Sequence, residues 1–252
     1  MIQGLYAAAN GMMAVEDRQA VIANNIANVT TTGFKRQLAV QKGYYQAFFG
    51  EARSTMRLDL EIAPGGGLKT IETFSNFGNG LIMPTGNPLD LALMGPGFIR
   101  VETPDGVQFT RSGRLSVGES GNLVTADGHK VLGTDDLPID VSGGLVKIDS
   151  TGIVTVKEEL RGQISIVEFE DPHALGRVGY SLYRASEAVM DAAVPAENTT
   201  IATASLEASN VQLPAEMVNM MMALRAYAAN QKVIAAIDET VTRLINQVGT
   251  PS

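Results

Sequence analysis

Apolar residues return at alternating steps of three and four at both ends of this chain, with a long stretch of different texture between them. Leu5, Ala8, Met12, Val15, Gln19, Ile22, Ile26 and Val29 keep that step at the start, and only Gln19 is polar. Met217, Met220, Leu224, Tyr227, Gln231, Ile234, Asp238, Val241, Ile245 and Val248 keep it at the end, with only Gln231 and Asp238 polar. This period places the residues on one stripe of an α-helix and defines a heptad seam. The spacing predicts one helix beginning with the chain, stopped beyond the threonines by Gly33, and a second from Pro214 to Val248. Proline suits the first turn of a helix. The second helix would be about 50 Å long at about 1.5 Å per residue, which exceeds the width of a small domain.

A lone two-helix seam is marginal against the entropy of ordering its backbone. Small and apolar residues off the seams, among them Ala9, Met13, Met221, Met222, Ala226 and Ala235, offer surface for further neighbours. Identical subunits repeating a heterologous contact build a ring or an open helix. The helical ends therefore read as assembly elements. Their packing residues are Leu5, Met12, Val15, Ile22 and Ile26 on the first and Met217, Met220, Leu224, Tyr227, Ile234, Val241 and Ile245 on the second. An antiparallel hairpin within one chain is the alternative reading of the same seams.

The middle of the chain changes period. Short runs such as LDLAL (Leu89 to Leu93), FIRVET (Phe98 to Thr103), VQFTR (Val107 to Arg111), NLVTA (Asn122 to Ala126), IVTV (Ile153 to Val156) and QISIVEF (Gln163 to Phe169) alternate with turn pairs. Asp105-Gly106, Asp127-Gly128 and Gly143-Gly144 are such pairs, and the spacing is that of hairpins in a sandwich or barrel. The expected class is α+β: two long terminal helices forming a coiled-coil-like domain, with an all-β middle domain. Residues 1–35 and 206–252 supply its helical halves. Residues 81–185 are the β-rich part, 36–80 a connector with extended segments, and 186–205 a return linker. Within the connector, Tyr44 to Phe49 is an aromatic run, and Pro64 and Gly65 open a Pro-Gly-Gly-Gly turn or hinge.

Composition narrows function. There are 19 Lys+Arg against 27 Asp+Glu, a net charge of −8, without a basic cluster. Nucleic acid and anionic lipid are therefore poor partners. Cysteine is absent, which removes disulfides, thiol catalysis and Cys-ligated zinc. No apolar run is long enough to span a membrane, and MIQGLYAAANGMMAVEDR lacks the marks of a cleaved secretory signal. His129 and His173 are the two histidines and lie far apart in loops. No metalloprotease, P-loop, nucleophile-elbow or dinucleotide-binding motif occurs. Asp149-Ser150-Thr151-Gly152 reads as a turn. The sequence thus offers no catalytic, cofactor or metal residue, and the expectation is a protein that is not an enzyme.

Three blocks carry a resemblance. ANNIANVTTTGFKR (Ala23 to Arg36), the stretch from Pro88 to Gly133, and LEASNVQLPAEMVNMMMALRAYAANQKVIAAIDE (Leu206 to Glu239) occur in this order. Together they resemble the flagellar basal-body rod proteins, of the axial family that includes the hook subunit. The chain has no room for the hook subunit's extra outer domain. The Gly95-Pro96-Gly97-Phe98-Ile99 turn departs from the family's Gly-Asp-Gly-Phe-Phe-like turn. MIQGLY and NPLDLAL look more like the proximal-rod F type than the distal-rod G type.

The resemblance implies a structural subunit that polymerises into a helical, tubular drive shaft, the terminal helices lining its inner layer and the β domain its outer one. It implies copies of itself and other rod subunits as partners. It also implies a place in the periplasm-spanning rod of the basal body and delivery by the flagellar type III export apparatus without a cleaved signal. On this reading Asn24, Asn25 and Asn28 bond to neighbouring subunits and fix register, as a buried Asn does in a coiled coil. Capping within one subunit is the rival role. A soluble binding or adhesive β protein whose helices form a stalk remains the alternative function, and an enzyme with an unrecognised site a third.

Overall fold

A computed structural model describes residues 2–44, 67–179, 181–196 and 198–248. Pro64, Gly65 and the aromatic run beyond Tyr44 lie outside the described residues. In chain order the elements begin with α1 (Ile2–Ala27), β1 (Gln37–Tyr44), β2 (Gly67–Ser75), β3 (Ile82–Pro84), β4 (Leu91–Met94) and β5 (Phe98–Thr103). They continue with β6 (Gly106–Thr110), β7 (Leu115–Val117), β8 (Leu123–Thr125), β9 (Lys130–Val131), β10 (Val146–Ile148), β11 (Ile153–Val156) and β12 (Glu159–Gln163). The last are β13 (Ile166–Glu168), β14 (Gly176–Val178), β15 (Leu182–Arg184), α2 (Glu187–Asp191), β16 (Val194–Pro195), β17 (Thr200–Thr203), β18 (Ser205–Glu207) and α3 (Leu213–Val248). The architecture is α+β, with a long helix at each end and a β-rich middle.

The chain divides into two compact units. The first holds residues 1–26, 37–74 and 213–252. Its helices run antiparallel, and glycines set their approach. A Cβ on Gly4 would stand 3.5 Å from Ile237 Cδ1, and one on Gly11 would stand 3.1 Å from Asn230 Nδ2. Farther along, Asn25 Nδ2 reaches Glu216 Oε2 at 3.5 Å. Each advance along α1 is matched by an equal retreat along α3, in multiples of seven residues. Several of the buried helix residues here are small: Ala8, Gly11 and Ala14 on α1, and Ala223 on α3.

The strands of this unit, β1 and β2, pair with each other. Asn25 seats the first residue of β1, its Oδ1 accepting from Gln37 N at 2.8 Å and its Nδ2 donating to Gln37 O at 2.8 Å. Gln41 Nε2 donates to Ala14 O at 2.6 Å.

The second unit holds residues 27–36 and 75–212. Its main sheet runs β14-β15-β6-β5-β9-β8-β7, with β13 pairing β5 and β16 pairing β13. A three-stranded sheet β10-β11-β12 and the pairs β17-β4 and β18-β3 complete it. Alternation along the strands sends Leu91, Leu93, Ile99, Val101, Leu123, Val131, Val154, Val156 and Ile201 into one aliphatic core. A neighbouring aromatic core is built from Phe98, Phe109, Phe169 and Tyr183, with edge-to-face ring pairs 4.9 to 5.7 Å apart. The run QISIVEF, expected as one strand, is split between β12 and β13.

Two segments lie elsewhere than the sequence suggests. Thr30 to Lys35, expected to finish the first helical half, belongs with the strands, because α1 stops at Ala27. Residues 186–205, expected as a return linker, contain α2, β16, β17 and the start of β18.

Candidate functional site

The residues that leave α1 and those that lead to α3 meet in the second unit, around a buried ion pair. Lys35 Nζ donates to Glu207 Oε1 at 2.7 Å, and both side chains are 1% exposed. Glu207 Oε1 also accepts from Gly80 N at 2.7 Å, and Lys35 Nζ donates to Gly78 O at 3.0 Å. A buried charge is tolerated only when paired and hydrogen-bonded. Here the pair joins three separate stretches of chain, 33–36, 76–81 and 207–210.

Backbone and amide bonds stitch the same stretches. Gly33 N donates to Glu207 O at 2.8 Å, Asn76 N to Arg36 O at 2.8 Å, and Ala208 N to Leu81 O at 2.8 Å. Asn210 is the hub. Its Oδ1 accepts from Arg36 N at 2.7 Å, and its Nδ2 donates to Asn76 O at 2.8 Å and Gly78 O at 2.9 Å.

Cations surround this knot. Arg111, buried, donates to Gly95 O at 2.7 Å and lies 4.8 Å from the Phe98 ring centroid. Arg177 stacks 4.3 Å from the Phe34 ring centroid and donates to Lys35 O at 3.1 Å. Burial lowers the pKa of Lys35 and of Arg111, and the Glu207 carboxylate opposes the shift in both. Burial raises that of the Tyr183 phenol, with Arg177 and Arg111 opposing. Gly33 is required twice over: its φ is +68°, and a Cβ there would stand 2.5 Å from the Arg111 carbonyl.

The other proposed packing residues fall into distinct groups. Ile22 is buried, while Met12, Val15, Ile26, Met220, Tyr227 and Ile234 are half-buried. Leu5, Met217, Leu224, Val241 and Ile245 are exposed, Met217, Leu224 and Ile245 by 55%, 53% and 65%. The face of α3 turned to α1 therefore includes Glu216, Ala223, Asn230 and Ile237, one residue off the heptad positions Met217, Leu224, Gln231 and Asp238. Leu5 and Met12 with Ile234, Ile237 and Val241 line an apolar groove of about 480 Å³.

Among the asparagines, Asn25 is 1% exposed and uses its amide inside its own chain. Within the subunit it joins a strand start and a glutamate of the same unit, the arrangement expected of the rival role within one subunit. Asn28 is buried, and its Oδ1 accepts from Thr31 Oγ1 at 3.2 Å. Asn24 is half-buried. Sequence reasoning missed Lys35, Glu207 and Asn210 as a group; the cues were the basic pair Lys35-Arg36 and, far along the chain, the lone charge of Glu207 in otherwise neutral text.

This arrangement uses its polar chemistry to hold chain segments together and leaves apolar helix surface facing outward, as a structural subunit does. Comparison with known proteins agrees. Residues 5–35 match the family described as flagella basal body rod protein, and residues 92–156 match the flagellar hook protein FlgE/F/G D1 domain. Residues 202–247 match the flagellar basal body rod FlgEFG protein C-terminal family. The flagellar basal-body rod protein FlgG of Bacillus subtilis is 34% identical, over 98% of this chain and 99% of its own. FlgG of Borreliella burgdorferi is 33% identical over 94% and 96%, and FlgF of Mesorhizobium japonicum 31% over 97% and 98%. The chain belongs to the flagellar basal-body rod protein family. Most of these relatives bear the G-type name and one the F-type, so the F-type preference drawn from MIQGLY and NPLDLAL is not supported.

Proposed function

We propose that the chain is a structural, non-catalytic subunit of the flagellar rod, polymerising through its terminal helices into a helical tube. The carrying observation is the outward face of α3, where Met217, Leu224 and Ile245 stay more than half exposed although their spacing is that of a packing seam. Neighbouring copies and other rod subunits are the natural cover, with coiled-coil-like packing in the assembled inner layer. The predominance of G-type relatives favours the G-type position over the F-type. Among the described residues no helix is long and apolar enough to cross a membrane. Delivery through the flagellar export apparatus as an unfolded chain suits a sequence without cysteine, which forms no disulfide to resist passage.

The test is Leu224→Asp combined with Ile245→Asp. The purified variant should keep the β-sheet circular dichroism and thermal transition of the parent. It should fail to form sedimentable polymer or to restore motility to a strain lacking the subunit. Normal assembly of the variant would overturn the proposal.

A further inference from the structure

The last strands of the second unit close it from a great distance along the chain. Most other pairings are local: β5 turns into β6 at Thr103↔Gly106, β11 into β12 at Val156↔Glu159, and β14 into β15 at Val178↔Leu182. The stretch Asn198–Val211 reaches farther along the chain than even β13 to β5 at Ile166↔Ile99 or β15 to β6 at Leu182↔Thr110. Thr200 pairs Met94 and Leu206 pairs Met83, while Glu207 meets Lys35 across a separation of 172 residues.

The stretch also lies directly on glycine backbones. A Cβ on Gly80 would stand 1.9 Å from Ala208 O, and one on Gly95 would stand 2.5 Å from Asn198 O. Its start is bound by Glu168, whose carboxylate accepts from Asn198 N at 3.0 Å and Thr199 Oγ1 at 2.8 Å.

We propose that Asn198–Val211 is a strap that docks last and that, with Gly33–Arg36, it forms a latch able to open while the hairpins stay folded. Long-range closure carries an entropic cost that local hairpins avoid. Gly33–Arg36 cannot seat before the strap, because Lys35 would then be buried without its counter-charge. Opening exposes Ile201 and Leu206 but also returns Lys35, Glu207 and Glu168 to water, which offsets part of that loss, so this closure is weaker against opening than the wholly apolar hairpin core. The strap thus delivers the carboxylate that permits the N-terminal segment to dock, and one opening event frees the roots of both terminal helices.

Native-state hydrogen exchange of the intact chain, read by mass spectrometry in mild denaturant, tests this. Amides in 33–36, 80–84 and 200–208 should exchange as one group, about tenfold or more faster than those in β5, β6, β8 and β9. Glu207→Gln should speed the first group by about tenfold again and leave the second unchanged. Removing both charges in Lys35→Met with Glu207→Leu should return the first group toward its original rate. A single rate shared by both groups in the wild-type chain would overturn the proposal, and that comparison stands even if Glu207→Gln fails to fold. Equal acceleration of both groups by Glu207→Gln would overturn it too, as would a double variant that exchanges as fast as the single one.

Discussion

Lys35 and Glu207 show how much a buried pair depends on completeness. Removing either partner leaves a charge in an apolar site and is expected to cost about 3–5 kcal/mol. Replacing both, as Lys35→Met with Glu207→Leu, should recover most of that loss, since the apolar pair needs no desolvation. Urea unfolding of the four proteins in a double-mutant cycle measures it, and strictly additive losses would contradict the pairing. Tyr183 gives a pH signature. Its phenol holds its proton more tightly when folded than in the unfolded chain, where it titrates near 10. The stabilisation is complete below that value and is lost as pH rises toward the higher folded value. The burial-lowered pKa of Lys35 acts in the opposite sense, raising stability as pH climbs toward 10.5. Tyr183→Phe should therefore flatten the alkaline fall in melting temperature, leaving the slope below pH 10 intact.

At the level of elements, α3 presents two faces that differ by one residue. Ala223 is 2% exposed and its neighbour Leu224 is 53% exposed. Ala223→Asp would place a charge against α1 and should lower the helical content of the isolated subunit, whereas Leu224→Asp should not. Circular dichroism at 222 nm separates the two, and equal effects would remove the distinction. The seven-residue recurrence of α3 and the strands β5, β6 and β11 were legible in sequence, because period is a local property. The rotation of the inward face was not. Small and polar residues such as Gly11, Ala223 and Asn230 make that contact, and a search for large apolar side chains passes over them. The Lys35–Glu207 pair was invisible for another reason: nothing local links two residues so far apart, although both sat within stretches that carried the family resemblance.

For the whole molecule, the division into units redraws the expected stable core. Residues 27–36 and 204–212 belong with the strands, so trimming of the dilute chain by protease should stop near residues 27 and 212. Mass spectrometry of the surviving fragments gives the end points. A stable β fragment ending before Glu207 would show that the latch residues are dispensable.

The same knot also decides how the protein bears tension. A pull on α1 enters the second unit through Gly33–Arg36, and a pull on α3 enters through Glu207–Val211, and these stretches are bonded to each other. Once the antiparallel contact between the two helices has parted, further stretching strains the Gly33–Glu207 and Arg36–Asn210 hydrogen bonds and the ion pair before the sheet. The hairpins β5–β6 and β8–β9 lie off that line of force. Single-molecule extension from the two termini should accordingly show a small early rupture, with the length locked up by the sheet released only afterwards.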